Sequence, residues 1–253
     1  MAEETQYTAN TGFVTITTAN TNLDGSGTLG TVLTAGSNGT LIKTITVTSN
    51  ESCSMGMIRL FIYDGSNNRL FKEIEVIATD ASNINPRFEV HIPMDFTLKA
   101  GYVLKASTEI GESFNVIAEG LDWEYYTTSV RTDTTEYTAN TGMGTLTTQG
   151  TGVAILTAGA KGCSVESVTI KAIESPNDGL VAIYLSDGVS SYALYADIKV
   201  EAVKRSAIAS SYEYTYVFEN DFELKAGYIL AMITRSNQLF KVTAEGLNWD
   251  YPA

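Results

Sequence analysis

This chain is poor in the residues from which enzymes and metal sites are usually built. Its 253 residues include one histidine, two cysteines and two tryptophans. The histidine, His91, sits in EVHIPMD and points away from Val90 and Ile92, which reads as the solvent side of an alternating strand. A Ser–His–Asp triad would have to recruit it, and no G-x-S-x-G elbow accompanies it. Two cysteines and one histidine do not furnish a four-ligand zinc site. Cys53 and Cys163 are expected as free, partly buried thiols, although the sequence alone leaves a bond between them open.

Positive charge is scarce as well. Sixteen Lys and Arg face 29 Asp and Glu, a formal net charge of −13. An acidic surface repels nucleic acid and anionic membrane, and no basic cluster interleaved with aromatics reverses that. Neither is an expected partner. No run approaches the ~18 apolar residues that would span a bilayer. MAEETQYTAN lacks the basic and apolar parts of a signal peptide, so synthesis and folding in the cytoplasm are expected. Sustained helical spacing is missing too.

What the chain does have is glycine (21), Thr, Ser and Asn at turns, and short runs of Val, Ile, Tyr and Thr. That mixture specifies an all-β protein. It is also written twice. FTLKAGYVLKAST (96–108) returns as FELKAGYILAMIT (222–234), and NVIAEGLDWEYY (115–126) returns as KVTAEGLNWDYP (241–252). YTANTG recurs at 7–12 and 137–142, and LTAG at 33–36 and 156–159. The offset between copies changes only in Gly/Asn/Ser/Asp-rich stretches, where turns are expected. One such stretch is the extra NTNLDGSGTLG of the first copy. The polar stretch TTSVRTDTT joins the copies, which gives an N-terminal module over 1–128 and a C-terminal one over 129–253.

Within each copy, period-two alternation marks the buried faces. Ile58, Leu60 and Ile62 match Val181, Ile183 and Leu185, and Phe114, Val116 and Ala118 match Phe240, Val242 and Ala244. This gives about eight strands per copy, near 11–18, 27–34, 40–49, 55–63, 69–78, 86–93, 101–108 and 113–119. Strands with one apolar face need a second sheet to cover it. The fold class is therefore two tandem antiparallel β-sandwiches related by duplication. Strand count and copy length favour the jelly-roll type over an immunoglobulin-like one.

The motifs with a chemical look have plainer readings. Lys99-Ala100-Gly101 reads as a corner, with Gly101 supplying the backbone angle and Tyr102 entering the core. LDGSGT (23–28) and YDGSNN (63–68) lack the alternating ligands of a calcium loop, and Asp-Gly is a hairpin signal. Glu119 with Asp122, or Glu245 with Asp250, form a weak pair for glycoside hydrolysis, since Asp122 aligns with Asn248. No catalytic residue, cofactor or metal is expected. Each copy closes on an aromatic end. Trp123, Tyr125, Tyr126, Trp249 and Tyr251 are the candidate interface, although a Trp at a sandwich edge also serves to plug its own core.

The paired YTANTG, LTAG, LKAGY and AEGL-D/N-W elements, with the strands KTITVT (43–48) and SVTIKA (167–172), resemble β-rich virion proteins of tailed bacteriophages. Within that group they are most similar to the auxiliary, or decoration, capsid proteins of crAss-like phages. The resemblance covers almost the whole chain, once per copy. It implies sandwich modules on the outer capsid surface, contacting the major capsid protein and neighbouring virion proteins, with no catalytic residues. Two alternatives remain: a carbohydrate-binding or adhesin module of a fibre or tail, with a surface glycan as partner, and a tail or neck structural protein.

Overall fold

The computed structural model describes residues 4–126, 136–204 and 212–250. No helix occurs among them. The first copy contributes β1 (Glu4–Ala9), β2 (Gly12–Ile16), β3 (Gly30–Thr34), β4 (Thr40–Ser49), β5 (Gly56–Tyr63), β6 (Asn68–Val76), β7 (Glu89–Leu98), β8 (Val103–Thr108) and β9 (Phe114–Tyr126). The second contributes β10 (Glu136–Leu146), β11 (Val153–Thr157), β12 (Cys163–Ala172), β13 (Gly179–Ser186), β14 (Tyr192–Val200), β15 (Glu213–Leu224), β16 (Ile229–Thr234) and β17 (Phe240–Asp250).

Pairing order decides the type of sandwich. One sheet of the first copy runs β1-β9-β4-β7, with β2 also on β9, and the other runs β3-β8-β5-β6. The pairs β2/β9, β3/β8, β4/β7 and β5/β6 are nested, as if one long hairpin had been rolled up, which is the jelly roll. The second copy repeats this, as β10-β17-β12-β15 and β11-β16-β13-β14. All strand pairs with a described register are antiparallel.

The first strand starts earlier than its sequence indicates. The first strand is expected near 11–18, yet β1 and β2 both lie along β9, with Tyr7 opposite Trp123 and Val14 opposite Val116. The aromatic end of the copy is thus the far half of a long strand. The Asn-Thr pair only kinks the line, and Asn10 N–H still donates to Gly120 O at 2.9 Å.

The duplication reaches into the irregularities of the ladders. In the first copy, register shifts fall between Thr31 and Leu33, Ile42 and Thr44, and Leu60 and Phe61. In the second they fall between Ala154 and Leu156, Val165 and Ser167, and Ile183 and Tyr184. Each lies 123 positions beyond its counterpart. A bulge adds one unpaired residue and re-aims the side chains beyond it, so bulges are kept as features within families.

Ile42, Ile45, Val47, Ile58, Leu60, Leu104, Phe114 and Val116 are fully buried between the sheets of the first copy. Val168, Ile170, Val181, Ile183, Leu230 and Met232 are fully buried in the second. Each such side chain contributes ~1.5–3 kcal/mol through burial. By contact, the chain forms two compact units. Among the described residues, unit 1 takes in 4–79, 88–126 and 136, and unit 2 takes in 80–87, 137–204 and 212–250. Residues 80–87, part of the first copy by sequence, therefore belong to unit 2.

Candidate functional site

Three of the repeated motifs meet at one corner of each sandwich. In unit 1 the Asn10 amide of YTANTG donates to Thr34 O at 3.0 Å and to Asp122 Oδ1 at 2.9 Å. Gly36 N–H of LTAG reaches Asp122 Oδ1 at 3.3 Å, and the Thr40 hydroxyl donates to the same oxygen. In unit 2 the Asn140 amide donates to Thr157 O at 3.0 Å and to Asn248 Oδ1 at 2.8 Å, and Gly159 N–H reaches Asn248 Oδ1 at 3.1 Å. Cys163 takes the place of Thr40, its sulfur 3.6 Å from the Asn140 amide. A Cβ on Gly36 would stand 2.4 Å from the Asp122 carboxylate, so only glycine lets the latch close.

LKAGY joins the same corner through the backbone. Tyr102 N–H donates to Lys99 O at 2.9 Å, and Tyr228 N–H to Lys225 O at 2.9 Å. Gly101 and Gly227 have φ of 75° and 77°, as the third position of a type II turn requires. The tyrosine carbonyls then accept from Ala35 and Ala158 of the two LTAG motifs, at 2.9 and 3.0 Å. The polar and glycine residues of these motifs thus act as scaffold that tethers turns to strand ends.

The aromatic end divides. Trp249 is buried, with 7% of its surface exposed, so it fills the core of unit 2 instead of lining an open rim. Trp123 is half-buried; its carbonyl accepts from Asn38 Nδ2 at 2.9 Å, and its indole N–H meets no acceptor among the described residues. Tyr7, opposite it, is 39% exposed. Tyr125 and Tyr126 have backbones paired with Thr5 and Glu4, their side chains lie outside the description, and Tyr251 lies outside the described residues. A second aromatic pair was missed in the sequence. Phe71 lies 4.7 Å from Phe96, and their counterparts Tyr195 and Phe222 also lie 4.7 Å apart. Phe71 is 39% exposed, whereas Tyr195 is 5% exposed.

The titratable residues are engaged in structure. His91, expected to face solvent, is half-buried, with Nδ1 2.8 Å from Thr46 Oγ1 and Nε2 2.8 Å from Glu89. Both cysteines are free and buried, more deeply than expected. Burial pushes the Cys163 thiol up to about 11, against a smaller opposing effect of the Asn140 amide. Glu119 is 3% exposed, and Asp122 is committed to the latch. Asp64 Oδ1 accepts from the backbone N–H groups of Ser66 and Asn67, and Asp187 Oδ1 from Val189, Ser190 and Ser191. These turns hold both carboxyls below the usual range. Among the described residues no three His, Cys, Asp or Glu side chains form a group suited to a metal ion.

The sandwich faces that point away from the core differ between copies. On β5 and β8, Arg59, Phe61 and Ser107 point outward yet are 6%, 0% and 1% exposed. Residues 17–29 cross this face. Asn20 N–H donates to Thr108 O at 2.7 Å, Arg59 Nη1 to Asn20 O at 3.3 Å, and Asn68 Nδ2 to Gly25 O at 2.9 Å. Arg59 also binds Glu73 and Glu109, at 2.9 and 3.2 Å. In unit 2, Ala182 stands in the place of Arg59 and Asp197 in the place of Glu73. There the cation is Arg87, from residues 80–87. It binds Asp197 with two guanidinium nitrogens at 2.6 and 2.8 Å and reaches the Tyr184 hydroxyl at 3.1 Å. Burial works against the Arg87 charge, but the Asp197 carboxylate more than offsets it and raises the guanidinium pKa.

On the sheet built from β10, β17, β12 and β15, the outward residues are open. Met143 is 77% and Val217 67% exposed, beside Thr169 bonded to Thr215 at 2.9 Å and Lys171 bonded to Glu213 at 2.7 Å. In unit 1, Thr46 and Thr48, the counterparts of Thr169 and Lys171, are fully buried, and His91, the counterpart of Thr215, is half-buried.

No protein-family model and no curated protein sequence matches the chain. Among solved structures, it is similar to the major capsid protein P2 of bacteriophage PM2, at 13% identity over 95% of this chain and 98% of that one, with a TM-score of 0.29.

Proposed function

We infer that the chain is a structural protein of a bacteriophage virion, and that within it the protein acts as an auxiliary, or decoration, protein bound to the outer surface of the head. The observation that carries this reading is where the repeated motifs lie. Their Asn, Gly, Asp and backbone groups serve the scaffold of a sandwich, which leaves its faces to make contacts. A duplicated module gives one chain outward faces from two sandwiches, and a second contact made from the same chain gains from high effective concentration. The open face of β10, β17, β12 and β15, mixed in polarity and flanked by exposed Tyr214, is suited to packing on a protein lattice. The acidic charge suits a site away from packaged genome. The aromatic positions Trp123, Tyr125, Tyr126 and Tyr251 remain the proposed contact rim of the modules 1–128 and 129–253, whereas Trp249 is buried.

Quantitative mass spectrometry of purified particles tests this. A copy number tied to the capsid lattice is expected, and absence, or a handful of copies, rejects decoration. The second reading, a glycan-binding module, draws on the exposed Tyr7 and Tyr192. Reproducible signals on a glycan array, lost on Tyr7→Ala or Tyr192→Ala, would replace the lattice role.

A further inference from the structure

The turn that joins β3 to β4 has the same backbone bonds as its twin between β11 and β12, but a different residue at its tip. In unit 1, Gly39 N–H donates to Gly36 O at 3.0 Å, and Gly39 O accepts from Trp123 N–H at 3.3 Å. In unit 2, Gly162 N–H donates to Gly159 O at 3.1 Å, and Gly162 O accepts from Trp249 N–H at 3.3 Å. Both glycines have positive φ, 99° and 104°. A Cβ on Gly39 would also stand 3.0 Å from Leu98 O, so the position calls for glycine. The residue before it differs, Asn38 in the first copy and Lys161 in the second. Asn38 is exposed, and it is the one asparagine of the sequence followed by glycine.

An Asn-Gly pair carries a reaction of its own. No side chain on the glycine crowds the approach, so its backbone nitrogen, after giving its proton to hydroxide, attacks the asparagine Cγ. The new N–Cγ bond closes a succinimide ring, the Cγ–Nδ2 bond breaks, and Nδ2 takes a proton from water and leaves as ammonia. Water then opens the ring at either carbonyl. The products are aspartate and its isomer, in which the main chain runs through the former side chain. Water is the only co-reactant.

In unit 1 both reacting groups are held. The Gly39 N–H that must be lost is bonded to Gly36 O, and the Asn38 amide that must leave donates to Trp123 O at 2.9 Å. Gly36 is tied in turn to the latch, its N–H meeting Thr40 Oγ1 at 3.1 Å and Asp122 Oδ1 at 3.3 Å. We propose that Asn38 is a site of self-deamidation and that the latch holds it in check, so that conversion proceeds through local opening of this corner. A carboxylate at position 38 has no donor for Trp123 O and sets an oxygen against that carbonyl. The isomer also lengthens the main chain of the turn by one carbon. Either product unpins β9 at Trp123. The second copy, with Lys161, is spared the change.

The test uses the full chain at mildly alkaline pH, with peptide mapping by mass spectrometry to follow conversion at Asn38. In chain unfolded by guanidinium chloride, Asn38 is expected to convert faster than every other asparagine. In the native wild type it should convert at least about tenfold more slowly, because the reaction waits on opening of a bonded corner. Asn10→Ala, which takes a donor from Thr34 O and Asp122, should move the native rate towards the unfolded one. Should that variant fail to fold, Thr40→Val keeps the shape of the side chain, removes the hydroxyl bonded to Gly36 and Asp122, and should act in the same direction. Equal rates in native and unfolded wild type overturn the proposal. So does an unfolded chain in which Asn38 converts no faster than its other asparagines, or a folded latch variant that converts at the wild-type rate.

Discussion

At the scale of single residues, the two copies act as each other's controls. Asp122 and Asn248 occupy the same latch, and both accept from a glycine N–H and an asparagine amide. Asp122→Asn should therefore change stability by less than about 1 kcal/mol in denaturant unfolding, because the second copy runs on the amide. Asn10→Ala is different. It leaves Thr34 O and the Asp122 carboxylate short of a donor, which should cost ~1–3 kcal/mol. The turn carboxylates give a pH signature. Backbone N–H groups hold Asp187 below its usual pKa, so its contribution is fully present above the unfolded value of about 3.9 and is lost as pH falls through the folded one. The difference in melting temperature between wild type and Asp187→Ala should be constant near neutral pH and shrink in acid. The reason for Asp187 was legible in the sequence, since Asp-Gly announces its turn. The latch was not, because Asn10, Gly36 and Asp122 are far apart in the chain, and Asp122 stands out there only as half of a weak carboxylate pair.

At the scale of elements, the bulges govern what each strand can present. The shift at Ile42/Thr44 puts Ile42 opposite Phe96 and Thr44 opposite Pro93, so that Met94 and Asp95 of β7 together face the single residue Lys43 of β4. Asp95 sits at φ 53°, the only described non-glycine residue with positive φ. A side chain there is strained, and Asp95→Gly should stabilise unit 1 by up to about 1 kcal/mol, read as a rise in the unfolding midpoint. Alternation made most strands visible beforehand, from Ile58-Leu60-Ile62 to Phe114-Val116-Ala118. Their ends were less visible. β1 hides in YTANTG because Asn, Thr and Gly favour turns locally, and only the ladder to the end of β9 makes it a strand. Bulges leave no mark in a pattern of period two except a change of phase, so they too escaped notice.

At the scale of the whole molecule, the sequence boundary between copies and the packing boundary between units differ at residues 80–87. This has a measurable consequence. In the intact chain, Arg87→Ala leaves the Asp197 side chain, 1% exposed, with the more distant Arg235, at 3.7 Å, as its counter-charge. The expected loss is about 3 kcal/mol. A fragment spanning 129–253 lacks Arg87 altogether, so Asp197→Asn should raise its melting temperature, whereas the same change in the intact chain should lower it. A drop in both settings would show that Arg87 is not the principal partner. The duplication itself was plain from LKAGY and AEGL. The exchange of a segment was not, because nothing in DASNINPR distinguishes it from any polar connection.

The coincident ladder shifts also carry a chronology. Six irregularities placed alike in both halves are inherited from one parent gene, so that parent already had its kinked strands before it was doubled. The lengthened 17–29 stretch and Arg59, which stands where the second copy has Ala182, mark where the two halves have diverged since the doubling. Since then, drift has been free in the connections and barred inside the strands, where one added or lost residue would turn every later side chain inside out.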